Sequence, residues 1–274
     1  MTKYADLHLH TVYSDGTYTP EELVAKSVKA KLAAIAITDH DTVGAIGPAM
    51  KLAKEVDLEI LPGIELSAEY EGQEIHILGY LIDYKSKALK EKLAKLREIR
   101  VERIHKIVAK LKEMDVILPP EAVFALSGNG TVGRLHVARA MVKEGLIGCT
   151  YEAFQKYIGD KCPAYVLGFK LSPKEAVKVI KDAGGVPVLA HPYIIKDDNL
   201  LIELINSGIM GLEVYYPEHS QSMVNFYLEL AKKYNLVLTG GSDCHGAAKS
   251  EVRIGSMKVP YELVEKLKEV KAKI

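Results

Sequence analysis

The chain has 274 residues, with 36 Lys plus Arg against 36 Asp plus Glu, 48% hydrophobic and 26% charged residues. This is the composition of a globular protein with a full core, and zero net charge removes the long-range pull on phosphate backbones that strong duplex DNA binding needs. Cys149, Cys162 and Cys244 form no C-x-x-C pair, Met1 to Leu9 lacks a signal peptide's apolar stretch, and no run approaches the roughly 18 apolar residues of a membrane span, so a reducing cytoplasmic location away from membranes is expected.

Short runs rich in Ile, Val and Leu alternate with helix-like stretches, the rhythm of a parallel sheet with crossover helices in an α/β fold. The first strand is predicted at Tyr4 to Leu9. Thr19-Pro20-Glu21-Glu22 then offers an N-cap, a proline at the first helical position and early acids, so a helix starts there. Strands follow at Ala33 to Thr38, Leu58 to Ile64 and Ile75 to Leu81. Beyond Lys85 the strand-like runs stop. Leu89, Leu93, Leu96, Arg100, Ile104, Ile107 and Leu111 lie three or four apart, which predicts one long helix whose apolar face is interrupted by Arg100. Lys85 to Lys112 holds eleven Lys or Arg and three Glu, so charge is segregated along the chain rather than absent. Residues 85–162 are therefore expected to form a helical insertion, whose cations would attract phosphate if it overhangs an active site and covers a substrate there, between a first part, 1–84, and a second, 163–274. In the second part Ser172-Pro173-Lys174-Glu175 repeats the helix-start pattern. Strands are predicted at Val186 to Ala190, Gly211 to Tyr215, Leu236 to Gly240 and Ile254 to Val259, with a closing helix from about Tyr261.

Chemistry-bearing residues recur at the strand positions. His8-Leu9-His10 ends the first strand, and in an extended chain residues two apart face the same side, so both imidazoles can address one ion. Thr38-Asp39-His40-Asp41 follows the second strand and Gly63-Ile64-Glu65 the third. Glu74-Ile75-His76 lies in the fourth, Ala190-His191-Pro192 follows the next, and Gly241-Ser242-Asp243-Cys244-His245 follows the seventh. Six of the nine histidines thus sit at or beside strands, with Asp15, Glu65 and Asp243. In parallel α/β barrels strand C-termini converge on one face. Any one of these histidines reads as a hydrogen-bonded structural residue, but the whole set with three acids demands partners or metals. Mixed imidazole and carboxylate donors point to hard or borderline divalent ions such as Mn, Fe, Zn or Mg. Cys244 lies between two candidate ligands, yet its side chain should point away from theirs.

Taken together, His8-x-His10, Ser14-Asp15-Gly16, Thr38-Asp39-His40-Asp41, Gly63-Ile64-Glu65, His76, His191-Pro192 and Ser242-Asp243-x-His245 resemble the PHP (polymerase and histidinol phosphatase) superfamily of metal-dependent phosphoesterases, over nearly the whole chain. The resemblance implies a distorted (β/α)7 TIM-like barrel and two to three divalent ions, manganese foremost. It implies that His8, His10, Glu65 and Asp243 hold the first ion and that Glu65, His76 and His191 hold the second, with Glu65 bridging them. Asp15, His40 and His245 would hold the third. Glu65, Asp243 and His191 are then catalytic through metal binding, with a metal-activated hydroxide attacking phosphorus in line and no separate general acid assigned.

Gly133-Arg134-Leu135-His136-Val137-Ala138 and Lys161-Cys162-Pro163-Ala164-Tyr165 are similar to phosphate-contacting segments of the TrpH-like subgroup, which acts on nucleoside 3′,5′-bisphosphates and on 5′-phosphorylated short RNA in the 5′–3′ direction. Leu135 stands where that subgroup commonly has proline, and Asp160 and Cys162 flank the lysine. Arg134, Lys161, His136 and His219 are the substrate-binding candidates, while His105 has no motif behind it. A phosphoesterase acting on a nucleotide or short 5′-phosphorylated RNA is the leading expectation. A small-molecule phosphatase like histidinol phosphatase and a non-catalytic PHP module are the alternatives.

Overall fold

The computed structural model describes residues 2–128, 130–168 and 171–274; Met1, Asn129, Phe169 and Lys170 lie outside the described residues. Eight strands among them form one nearly closed, barrel-shaped sheet: β1 (Tyr4–Leu9), β2 (Ala34–Ile37), β3 (Glu59–Tyr70), β4 (Gln73–Tyr80), β5 (Val186–Leu189), β6 (Gly211–Tyr215), β7 (Val237–Gly240) and β8 (Val259–Pro260). The sheet order is β7-β6-β5-β4-β3-β2-β1-β8. Residues just past β7 close the wall onto β1, where Asp243 N donates to His8 O at 2.9 Å and His10 N to Cys244 O at 3.1 Å. A side chain on Gly241 would run into the backbone of His8, so this closure requires glycine there.

Helices wrap the sheet: α1 (Pro20–Lys29) and α2 (Ile46–Ala53) early, and α7 (Pro173–Asp182), α8 (Asp198–Asn206), α9 (Gln221–Tyr234) and α10 (Glu262–Lys271) in the second part. Both anticipated helix starts are capping boxes, with Thr19 and Glu22 reciprocally bonded at α1 and Ser172 and Glu175 at α7. Between β4 and β5 run α3 (Lys87–Glu113), α4 (Pro120–Ser127), α5 (Arg134–Lys143), α6 (Thr150–Ala153) and a π-helical turn, Phe154–Ile158.

The long basic helix α3 changes core halfway along. Leu89, Leu93 and Leu96 pack into the main core of strands and flanking helices, whereas Ile104, Ile107 and Leu111 pack with Val123, Val137 and Met141 into a separate helical core. Arg100 and Arg103 continue the same stripe at the changeover between the two. A guanidinium there meets no continuous apolar bed and turns to polar partners. Arg100 Nε donates to Asp41 Oδ2 at 2.7 Å and Nη2 to Ser67 Oγ at 2.7 Å, which ties the insertion to the sheet.

Two expectations need correction. The sheet is not uniformly parallel: β3 pairs antiparallel with β4, and β4 with β5. The cause is local, because Glu71 (φ 48°) and Gly72 (φ 80°) make a two-residue hairpin turn, where parallel pairing would need a long crossover connection. The strand expected at Ile254 to Val259 shrinks to Val259–Pro260, which pairs antiparallel with Tyr4 and Ala5. The preceding turn, with Gly255 at φ 74°, instead brings the Gly255 N–H to Asp6 Oδ2 at 2.8 Å.

Asp6 is fully buried and meets donors alone: Ser242 N at 2.8 Å, Ser242 Oγ at 2.7 Å, Gly255 N at 2.8 Å and, at 3.5 Å, His8 N. Asp6→Asn would set an amide N–H against one of these donors and is expected to cost about 1–3 kcal/mol of stability. Urea unfolding checks this, and an unchanged midpoint would contradict it.

Candidate metal centre

The sheet's closure brings nine anticipated ligands into one basin. His8 lies near the end of β1, with His10 and Asp15 in the loop beyond it; His40 follows β2, where it bridges to Glu65 of β3. His191 follows β5, and Asp243 and His245 follow β7. Because β4 runs against β3 and β5, its His76 reaches the same face from the strand's first half.

Glu65 is the centre of the basin. It is buried, and its Oε2 lies 3.3 Å from His8 Nε2, 3.2 Å from His10 Nε2 and 3.3 Å from His40 Nδ1. Its Oε1 lies 2.8 Å from His76 Nδ1 and 3.2 Å from His191 Nε2. His8, His10, Glu65 and Asp243 turn one ligand atom each to a common point, with Asp243 Oδ1 3.4 Å from His8 Nε2 and 3.1 Å from His10 Nε2. A second group gathers Asp15, His40 and His245, with His10 added; His245 Nε2 lies 3.1 Å from Asp15 Oδ1. His40, Glu65 and His76 make a third, and His191 Nε2 lies 3.3 Å from His76 Nδ1 beside it. Cys244 Sγ points elsewhere, to Val252 O.

The donor chemistry fits divalent ions. His10 Nε2, His40 Nδ1, His191 Nδ1 and Asp15 Oδ1 are buried with no hydrogen-bond partner among the described residues, although buried polar atoms are normally paired. Burial favours the neutral forms of Glu65, Asp15 and Asp243, yet the side chains packed around them hold all three well below the usual carboxylate range. For Glu65 these are the imidazoles of His40, His76 and His8; for Asp15, those of His245 and His40; for Asp243, Lys249, His8 and His245. The acids in turn raise their neighbours. Burial opposes protonation of His10, but Asp243 and Glu65 outweigh it and lift its pKa to about 10; Glu65 and Glu74 lift His76 to about 9 against the same burial. Burial dominates at His40 and keeps it well below the ordinary value, leaving a neutral ring with a free lone pair. Protons thus take the positions that divalent ions would claim.

Above the basin opens a cleft of about 460 Å³ lined by Asp15, Glu65, His76, Asp243 and His245 and by Arg100, Arg103 and Arg134 of the insertion. Arg134 is held by Glu74 Oε2 at 2.6 Å and Asp160 Oδ1 at 2.7 Å, and Arg103 Nη2 lies 3.6 Å from the same Glu74 oxygen without a hydrogen bond. Glu74 Oε1 in turn lies 3.2 Å from His76 Nε2. The other substrate candidates stand apart, and none of the three lines the cleft. Lys161 is exposed at a turn. His136 is buried in α5, where its Nδ1 accepts from Gly133 N at 3.1 Å and burial pulls its pKa down to about 4. His219 donates from Nδ1 to Val214 O at 2.8 Å.

The PHP domain family model matches residues 6–118. The chain is 34% identical to the 5′-3′ exoribonuclease Rnm of Escherichia coli over 254 residues, covering 89% of this chain and 87% of that protein. It is 30% identical to the 3′,5′-nucleoside bisphosphate phosphatase of Chromobacterium violaceum, with 91% and 90% covered. A solved structure from Bifidobacterium adolescentis, assigned as a metal-dependent phosphoesterase, superposes with TM-score 0.88 at 31% identity over 96% of this chain and 94% of that one. The chain belongs to the PHP family. It is a hydrolase of phosphate esters, and its His, Asp and Glu clusters are suited to divalent ions. No helix among the described residues is long and apolar enough to cross a membrane.

Sequence reasoning missed the residues that orient this PHP basin. Glu213 of β6 is buried; its Oε1 takes His8 Nδ1 at 2.9 Å and its Oε2 accepts from His191 N at 2.8 Å, which fixes the His8 ring with Nε2 inward. An acid in the apolar run Gly211-Leu212-Glu213-Val214 was the available signal. Asp39 likewise accepts from Thr11 Oγ1 and Ser14 Oγ, both at 2.6 Å, and holds the loop that carries Asp15. Lys249 Nζ and Tyr216 Oη donate to Asp243 Oδ2 at 2.7 and 2.8 Å; nothing in the local sequence marked either.

Glu213→Gln should keep the fold but weaken divalent-ion affinity about 10- to 100-fold, as losing a partner behind a ligand does; calorimetric titration with Mn²⁺ checks it. Since ions must displace protons from His10 and His76, binding should release protons and the apparent affinity should rise from about pH 6 to about pH 8.5. Titrations in two buffers of different ionisation enthalpy test this, and identical heats in both would contradict it.

Proposed function

We propose that the protein hydrolyses the 3′ phosphate ester of 5′-phosphorylated nucleotides, either as nucleoside 3′,5′-bisphosphates or as short RNA degraded from its 5′ end. The observation that carries this reading is the Arg103–Glu74–Arg134 array next to His76: Glu74 holds Arg134 and lies beside Arg103, which places two guanidiniums in the cleft one side chain away from the ligands. Relatives named for RNA and for nucleoside bisphosphates supply the same pair of substrates.

The nine ligands, His8, His10, Asp15, His40, Glu65, His76, His191, Asp243 and His245, hold two to three divalent ions; nitrogen and oxygen donors without thiolate suit Mn, Fe, Zn or Mg, and the family resemblance puts manganese first. When bound, such ions activate water, neutralise phosphoryl oxygens and stabilise a departing oxygen. The chain's own residues set the geometry. Arg134, with Arg103 behind it, grips the terminal 5′-phosphate through its planar fork, Asp160 giving way at the exposed turn. Lys249 and Tyr216 hold Asp243 in place, and Glu213 holds His8. Water adds to the 3′ phosphorus, the bond from phosphorus to O3′ breaks, and O3′ leaves with a proton. Residues 85–162 serve as the unit that covers the substrate: they have a core of their own and furnish the cleft's arginines.

Activity on a 5′-phosphorylated RNA pentamer should exceed that on its 5′-hydroxyl counterpart; equal rates would overturn the reading. Arg134→Ala should lower kcat/KM on the phosphorylated pentamer about 10- to 100-fold, the worth of a charge-assisted contact, and should narrow the gap between the two pentamers. Glu65→Gln or Asp243→Asn should remove metal binding and turnover together.

A further inference from the structure

A second concavity joins the cleft. Leu135, Phe154, Tyr193, Tyr216 and Lys249 line both, and beyond them a trough of about 1030 Å³ runs between the insertion and the barrel loop after β7. A nucleoside bisphosphate gripped at Arg134 with its 3′ phosphate at the basin gives this larger space no role.

The two spaces leave the basin on different sides of Glu65. From Oε1 the contacts run through His76 and Glu74 to Arg134. On the Oε2 side they pass through His8 and His10 to Asp243 and then to Lys249 and Tyr216, where the trough begins. The trough's insertion wall carries Arg139 and Lys143 of α5 and Tyr151 of α6. Arg139 is half-buried, yet it and Lys143 make no hydrogen bond or ion pair among the described residues. Tyr151 is a large aromatic left 70% exposed. The barrel side carries Glu218 and Glu251, which repel a polyanion toward the cationic wall. Unpaired cations tracking one wall beside an exposed aromatic are what a single-stranded nucleic acid recognises: its phosphates meet the cations and its bases stack on the ring.

We propose that this trough binds the nucleotides downstream of the scissile phosphate, so that single-stranded RNA of two or more nucleotides, rather than a nucleoside bisphosphate, is the substrate the protein is built to take. The inference rests on the function proposed above and extends it. The first nucleotide, 5′-phosphate at Arg134, is the part whose O3′ leaves. The phosphorus stays bonded to the O5′ of the second nucleotide, whose base stacks on Tyr151 and whose next phosphate faces Arg139 and Lys143.

The test compares the Mn²⁺-loaded wild type with Tyr151→Ala, Tyr151→Phe and Arg139→Ala, using a 5′-phosphorylated RNA pentamer and adenosine 3′,5′-bisphosphate. The ratio of kcat/KM for the pentamer to that for the bisphosphate should fall about tenfold in Tyr151→Ala and in Arg139→Ala, the usual scale for losing one stacked base or phosphate contact, and should persist in Tyr151→Phe. A ratio unchanged in the first two variants, or lost equally in Tyr151→Phe, overturns the trough. Binding of a 3′-fluorescein-labelled, 5′-phosphorylated RNA tetramer, read by anisotropy in EDTA, separates this from the underlying reading. Wild type that hydrolyses neither substrate but binds the tetramer more tightly than Tyr151→Ala and Arg139→Ala would sink the proposed reaction and keep the trough. Equal binding by all three would sink the trough whatever the activity.

Discussion

A buried carboxylate ringed by five imidazoles is the constraint on which the structure depends. Glu65 has two oxygens and essentially no access to water, so its charge must be met by neighbours, and His8, His10, His40, His76 and His191 come from four separate segments to meet it. Such a cluster is stable only with cations in it, whether protons on the rings or divalent ions between them. The sheet closes onto β1 so as to make that convergence possible. The backbone accepts strain for it: Asp41, His191 and Asp243 all have positive φ, at about 1–3 kcal/mol each for residues other than glycine. Each is pinned by its own amide, Asp41 N to Glu65 O, His191 N to Glu213 Oε2 and Asp243 N to His8 O.

The insertion is governed by the same demand for charge pairing. Arg100, which breaks the apolar stripe of α3, sits where the helix passes from one core to the other and anchors it to the loop carrying His40. Arg103, one turn on, and Arg134 converge on Glu74, so the cationic wall is fixed to the ligand basin through a single carboxylate. Positioning of the insertion and placement of the cleft's positive charge are therefore one structural problem with one solution.

Legibility followed how local the physics is. Both capping boxes were readable because an N-cap and its third residue interact within one helical turn. The hairpin at Glu71-Gly72 was missed: the sequence shows apolar runs, not their direction, and glycine alone does not specify a two-residue turn. The Ile254 to Val259 run shows a related failure, its apolar residues suggesting a strand while the Asp6 carboxylate, over two hundred residues away in the chain, bends the segment to receive the Gly255 amide. Arg134 lines the cleft whereas Lys161, His136 and His219 do not, since a motif names residue types and their exposure is decided by what packs around them.

By itself the sequence determined the family, the α/β alternation and the donor set, because histidines and acids at strand positions are properties of single short segments. The tertiary structure alone decided which donors share a point, that His10 and His40 each serve two groups, and that Glu213, Lys249 and Tyr216 hold the ligands in place. It also decided that a trough leads away from Asp243. Those are relations between segments far apart in the chain, and only the closure of the sheet brings them within hydrogen-bond range.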